Sequence, residues 1–487
     1  MNCSRTIFKL ALCSAFLAPS LAAQEAPSVS FEPYRARSSL GQELEGQLGR
    51  IRVPENRFIE GGKEIEIAFV VYKTKNPSPG APIMFLVGGP GGPGVEMTAD
   101  VATDPRTNLL ETHDVIGLDQ RGTGLSLPNL SQGPEFPFDL PLDRAVSREE
   151  YVAAAKDSAA RQAEFWESEG VDLSSYNSAE SAHDIDAVRR ALGLEKIILW
   201  GSSYGSHLGL SYLRYHPEHV ERSVLTKVEG PDHTHKLPSV LQRRLEGLHE
   251  LVAANAALSE KLPDLIGTVK ALLAQLEEEP VTVTVDRGGQ SLSVTVGPVD
   301  LQMLISVALG SSNSMATLPK ALYYMSQGEW RHVMGFVVGS RRGGFGSAMT
   351  LAMDCASGAS PGRLAQIERE RKDPANILSD AILAPFYPEA CEPCSAGDLG
   401  ETFRGPIRSK SPILFVSGEL DARTPVDNVL EILEGFPDHA HIIATNTGHG
   451  PRELESEMYQ ELVKYFLAGG TVESLTIELP PVDFEVP

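Results

Sequence analysis

Short apolar runs alternate with longer stretches of helical spacing through the first half of the chain. Pro82 to Val87, Val115 to Leu118 and Lys196 to Trp200 are dominated by apolar residues at consecutive positions, and Ser223 to Val228 reads as a further buried strand. Runs of that length and continuity predict strands buried on both faces. Glu64 to Tyr72 is β-rich and follows the turn signal Gly61-Gly62, which predicts an early hairpin strand. Between these runs, Ser147 to Glu169, Ser178 to Leu192 and Gly205 to His216 carry helical spacing. The first opens with Ser147 as cap and Glu149-Glu150 in its first turn. Strand and helix alternating in this order predict an α/β fold, a mainly parallel sheet with helices on both faces.

The alternation stops near Thr234. From there to Arg404 the spacing is mostly helical (Pro238 to Ala257, Asp264 to Glu279, Val299 to Ala308, Pro361 to Lys372), with one predicted hairpin over Val281 to Val296 about Gly288-Gly289. Sheet-like runs return at Ile413 to Ser417 and His441 to Thr445. Residues 234–404 are therefore expected to form a cap inserted between two parts of one core, 24–233 and 405–487. The Pro-rich tail from Leu479 to Pro487 is expected to be extended.

Composition narrows the setting. A chain of 487 residues with 42% hydrophobic content fits a soluble protein with a main domain and a large insertion. Residues 1–23 read as a secretory signal: Arg5 and Lys9, then a short apolar centre, then small residues before Gln24-Glu25-Ala26-Pro27. The segment holds both of those cations and no acid, so its removal would take the net charge from −23 to −25. An acidic chain without a basic stripe argues against nucleic acid and anionic membranes as partners. No later run is long and apolar enough to span a bilayer, so no membrane anchor is expected, and the destination is the periplasm or the medium.

Removal of the signal would leave Cys355, Cys391 and Cys394 in an oxidising compartment, where one disulfide is expected. Cys355 with Cys391 is the favoured pairing, and Cys394 is the other candidate partner. Cys391 and Cys394 form a lone C-x-x-C with no second cysteine pair or spaced histidine pair, so no metal site is expected.

Chemistry concentrates in Gly201-Ser202-Ser203-Tyr204-Gly205, directly after the run ending at Trp200. A G-x-S-x-G between strand and helix places a serine on a sharp turn above a sheet, with glycines permitting the turn and close substrate approach. A serine hydroxyl needs a base, an orienting acid and donors for the developing oxyanion. Asp421 in the turn-rich Ser417 to Pro425, and His449 between two glycines, both follow predicted strands. Ser203, Asp421 and His449 also stand in the chain order of an α/β-hydrolase triad. Glu419 and Asp427 are rivals for the acid.

Val87-Gly88-Gly89-Pro90-Gly91-Gly92-Pro93-Gly94 can aim amides at an oxyanion. Gly89 is the expected first donor, with Gly88 in reserve and Tyr204 as the second. Gly89 to Gly94 also matches the G-x-G-x-x-G dinucleotide pattern, but Pro90 and Pro93 lack amide hydrogens and no clear helix is expected to follow. No cofactor is therefore expected.

Gly88-Gly89-Pro90-Gly91-Gly92, Asp119-Gln120-Arg121-Gly122-Thr123-Gly124-Leu125-Ser126 and Gly201 to Ser206 together resemble the proline iminopeptidase and tripeptidyl aminopeptidase family of serine peptidases. Gly418 to Pro425 and Gly448-His449 resemble its exported, tripeptidyl-aminopeptidase-like branch. The resemblance implies an α/β-hydrolase fold with a helical cap and removal of residues or short peptides from N-termini. It implies Ser203 as nucleophile, His449 as base and Asp421 as orienting acid, and a buttress near the oxyanion loop for Asp119-Gln120-Arg121, which by residue type alone reads as a structural strand-end turn. Proline iminopeptidases usually carry a histidine where this chain has Val87, which shifts weight to the tripeptidyl branch. The partner so implied is a peptide with a free N-terminus. Its ammonium group needs a carboxylate, for which Glu229 past the Ser223–Val228 run is the candidate, an ordinary solvated acid being the favoured alternative for that residue. The rival readings are a carboxylic-ester hydrolase using the same three residues and a non-catalytic binding protein on the same scaffold.

Overall fold

The computed structural model describes residues 26–287, 290–378 and 386–487. The expected signal segment lies outside them, as do Gly288-Gly289 of the expected hairpin turn. Among the described residues twelve strands are formed: β1 Ser30–Arg37, β2 Glu43–Pro54, β3 Glu64–Tyr72, β4 Ile83–Leu86, β5 Val115–Leu118, β6 Ile197–Ser202, β7 Val220–Thr226, β8 Val281–Arg287, β9 Gln290–Val296, β10 Ile413–Gly418, β11 His439–Ala444 and β12 Leu475–Ile477. Ten make one sheet in the order β1-β2-β3-β5-β4-β6-β7-β10-β11-β12, and β8 pairs with β9 alone. β1, β2 and β3 are joined antiparallel, and β3 meets β5 antiparallel. From β5 to β12 every pairing is parallel.

The apolar runs are continuous because neighbouring residues serve opposite faces. Ile197 and Leu199 pack with Ala182, Val188 and Leu208 on one side. Ile198 and Trp200 pack with Val95, Ala99, Tyr459 and Val463 on the other. Helix Arg148–Ser168 carries the expected capping box between Ser147 and Glu150, which satisfies two amides at its start.

One expectation is overturned. The glycine-proline loop does open into a helix, Gly94–Thr103, with Val95, Ala99 and Ala102 buried at helical spacing. Ten residues opening directly after Pro93 were too short a signal to read. The dinucleotide reading still gains nothing. The Val95 amide in the first turn already donates to the Asp119 carboxylate at 2.9 Å, where a phosphate would have to bind.

Between β7 and β10 the chain is mainly helical, as its spacing predicts. Leu241, Leu245, Leu265, Val269, Leu276, Ile305 and Leu322 share a separate apolar cluster. Helices Ser312–Ser326, Met334–Arg342 and Ala348–Ser357 were not foreseen. Gly335 and Gly339 in the second, and Pro319 inside the first, blur the helical pattern there. The tail beyond β12 forms no helix or strand, and its Val482 joins the apolar cluster of the inserted helices. Among the described residues, no helix is long and apolar enough to cross a membrane.

Candidate active site

Ser203 sits between the end of β6 and helix Tyr204–Tyr215 with φ 56° and ψ −127°. A non-glycine residue there is strained by roughly 1–3 kcal/mol. The turn is therefore made by the serine and not, as expected, by the flanking glycines. Gly201 and Gly205 serve close packing instead. A Cβ on Gly201 would lie 2.3 Å from the Gly205 carbonyl oxygen, and one on Gly205 would lie 2.0 Å from that of Leu86. The helix start is thereby pressed onto β4.

Asp421 follows β10 and is fully buried. It accepts hydrogen bonds from the amides of Arg423 at 2.8 Å and Thr424 at 3.0 Å, and from the Thr424 hydroxyl at 2.6 Å. His449 follows β11, and its Nδ1 lies 2.8 Å from Asp421 Oδ2. Its Nε2 lies 2.9 Å from Ser203 Oγ. Burial works to raise the Asp421 pKa, but the hydrogen bond and charge of His449 and the Thr424 donors outweigh it, so the carboxyl stays below its ordinary value. The strands bring together three residues separated by as many as 246 positions. Of the rival acids, Asp427 pairs with Arg243 and Glu419 accepts the Asn446 amide. The geometry can deliver a serine proton to an imidazole held by a carboxylate.

The glycine-proline loop lies beside this group. A Cβ on Gly88 would approach the Ser202 carbonyl oxygen to 2.6 Å and Ser203 Cβ to 3.3 Å, so only glycine fits there. Gly89 has φ 76°. Tyr204 is the first residue of its helix, where the amide has no partner within the helix. Behind the loop, Asp119 accepts amides from Val95 and from Leu125 at 2.7 Å. Burial raises its pKa to about 6 against the pull of those amides. Arg121 is fully buried and bonded through two nitrogens to Asp184 and to the carbonyls of Glu55 and Ser175. The Asp-Gln-Arg element thus braces the loop on one side and the antiparallel strands on the other.

Glu229 is buried two residues past Lys227 at the end of β7, and its amide donates to Ser206 Oγ at 2.9 Å. It is not a free carboxylate. Lys236 Nζ donates to its Oε2 at 2.5 Å. Burial would raise the Glu229 pKa, but the Lys236 and His207 charges pull it below its ordinary value. From the helical region between β7 and β10, helix Ala348–Ser357 brings a carboxylate that the sequence did not reveal. Asp354 is partly exposed although deeply set, and accepts from the Tyr387 hydroxyl at 3.3 Å. Burial and the nearby Glu229 charge raise its pKa to about 7. The same helix starts on the glycine-proline loop, where Thr350 Oγ1 donates to the Pro90 carbonyl at 2.8 Å. Cys355, next to Asp354, is joined to Cys391 in a disulfide, and Cys394 is a buried free thiol. A lone aspartate in a helical insertion gives no sequence signal, and Lys236 reads as an ordinary charge.

Among the described residues there is no group of histidine, cysteine and carboxylate side chains that could hold a metal ion.

The fold and this site define an α/β hydrolase. The chain belongs to the α/β-hydrolase fold family, whose model matches residues 81–453. It is 25% identical over 458 residues to a tripeptidyl aminopeptidase of Streptomyces coelicolor, covering 87% of this chain and 81% of that protein. It is also 25% identical over 507 residues to the putative hydrolase YuaR of Escherichia coli, covering 97% and 95%. A crystal structure of proline iminopeptidase from Mycobacterium smegmatis is similar at 17% identity and a TM-score of 0.39, covering 86% of this chain and 97% of that one.

Proposed function

We propose that this hydrolase is an exported serine aminopeptidase that releases amino acids or short peptides from peptide N-termini. The observation that carries the reading is the continuous relay from Asp421 through His449 to Ser203, with both contacts at hydrogen-bond distance. In this reading His449 takes the Ser203 proton as the hydroxyl attacks the scissile carbonyl. The tetrahedral oxygen is received by the Tyr204 amide and by an amide of the glycine-proline loop, Gly89 being our assignment. His449 then gives the proton to the leaving amine, and water repeats the sequence on the acyl-enzyme.

The tripeptidyl aminopeptidase name of the Streptomyces relative supports exopeptidase action. The paired carboxylates Glu229 and Asp354 support it too, since a desolvated substrate ammonium needs counter-charge. Export is supported by the basic-apolar-small pattern of residues 1–23 and by the Cys355–Cys391 disulfide.

One observation favours a carboxylic-ester hydrolase as second reading. Lys236 already neutralises Glu229, which lessens the negative charge left for an amine. A peptide amide with a free N-terminus, its acetylated form and a simple ester separate the two. The aminopeptidase reading expects rapid cleavage of the free form, with Ser203→Ala inactive. Equal cleavage of free and acetylated peptides, or cleavage of the ester alone, would remove it.

A further inference from the structure

The serine is not the only strained strand end at this edge of the sheet. Lys227, the first residue past β7, has φ 52°, a conformation that suits glycine and not a long side chain. Its charge is buried as well. Nζ donates to Glu453 Oε1 at 2.6 Å, with the two side chains only 9% and 6% exposed. Strain and a buried ammonium both disfavour lysine here unless the ion pair itself is needed.

The location of the pair suggests the need. The Ser203 amide donates to the Thr226 carbonyl at 3.0 Å, and the next amide, that of Lys227, donates to the Val416 carbonyl at 2.7 Å. Val416 lies on β10, the strand that leads to Asp421. Glu453 lies in the short 3-10 turn Arg452–Glu455, four residues past His449. Lys227 therefore joins the strand of the acid to the segment that follows the histidine, directly beside the Thr226 carbonyl that receives the serine amide. Arg106 adds a second cation near Glu453. On its other side, the histidine loop is held by the Gly448 amide donating to Ser312 Oγ at 2.8 Å. The histidine is thus tethered before and after its position.

We propose that Lys227, acting through Glu453, is a positioning residue for His449, holding the imidazole in line with Ser203 Oγ. This rests on the roles proposed above for Ser203 and His449.

The test measures inactivation of the full-length protein by a fluorophosphonate, resolved into kinact and KI, beside the thermal midpoint. Lys227→Met and Glu453→Met each take one partner from a buried ion pair and are expected to lower the midpoint. The double variant removes both charges and is expected to recover it. Its kinact should remain about tenfold below wild type with KI unchanged, because an apolar pair cannot aim the segment. A folded double variant with wild-type kinact would make the pair merely structural and overturn the inference. Should the double variant not fold, Glu453→Gln decides: lowered kinact at unchanged KI supports the role, and wild-type kinact ends it. A folded wild-type protein that never labels would remove the serine-hydrolase reading, and this inference with it, a result distinct from labelling that is indifferent to the pair.

Discussion

Two aspartates of this site are shifted in opposite directions from the ordinary carboxyl pKa. Asp421 is fully buried yet remains readily ionised, because two amides, a hydroxyl and an imidazole converge on it. Asp354 faces one phenol and a second carboxylate, and its pKa rises to about 7. The first belongs to a strand-end loop whose own backbone supplies the donors. The second lies on an inserted helix, where backbone amides are already spent within the helix. Burial alone therefore does not set the charge of a carboxyl group. Donors and a facing charge decide together: Asp119 accepts two amides at a strand end and still rises to about 6, whereas Asp421 also has the His449 imidazole.

The largest effect should come from breaking the well-supplied site. Asp421→Asn keeps the shape but removes the charge that orients the imidazole. It should lower kcat or kinact by about 10⁴-fold with the fold intact, as read by labelling rate and circular dichroism. A change under tenfold would show that His449 is oriented by something else, such as Thr424, whose hydroxyl lies 3.1 Å from Nδ1.

Next in size is the bond that fixes the other region. The disulfide closes a separation of 36 residues beside Asp354. Replacing both Cys355 and Cys391 by alanine should lower stability by about 3 kcal/mol in denaturant titration. The same variant should still label at Ser203, since the disulfide joins two segments that both lie between β7 and β10. Loss of labelling in a folded variant would show that the two regions are coupled.

The smallest effect sharpens the contrast through pH. With its pKa raised, Asp354 keeps a proton in the folded chain that the unfolded chain releases above about pH 4. Its contribution to stability is therefore lost as pH rises towards 7. Asp354→Asn should be more stable than wild type at pH 8, by on the order of 2 kcal/mol, and no more stable at pH 4. In the same variant KM for a free-amine peptide should rise several-fold at pH 8, where the wild-type group is ionised, and little at pH 5.5. Identical KM at both values would separate Asp354 from substrate binding.

Much of the hydrolase core could be read along the chain. Val115–Leu118 is a strand with the expected bounds, and Ser178–Ala191 a helix within one residue of its prediction, because continuous apolar runs and caps are local signals. The elbow was legible as a pattern, though its mechanics were not. Pattern matching assigned the turn to Gly201 and Gly205, whereas Ser203 carries the positive φ and the glycines make room for Leu86 and for one another. The antiparallel edge strands β1 and β2 and the helix Ala348–Ser357 went unread, since their pairing and burial depend on distant partners.

Sequence alone determined the strand-helix alternation, the G-x-S-x-G turn and the order serine, aspartate, histidine, because each rests on residue types at short spacing. Only the tertiary structure decided which acid meets the histidine, that Glu229 is matched by Lys236, that Asp354 joins it from the insertion, and that Lys227 meets Glu453. Those outcomes depend on how the fold sets side chains between 7 and 226 positions apart along the chain, and on how many donors each buried charge finds there.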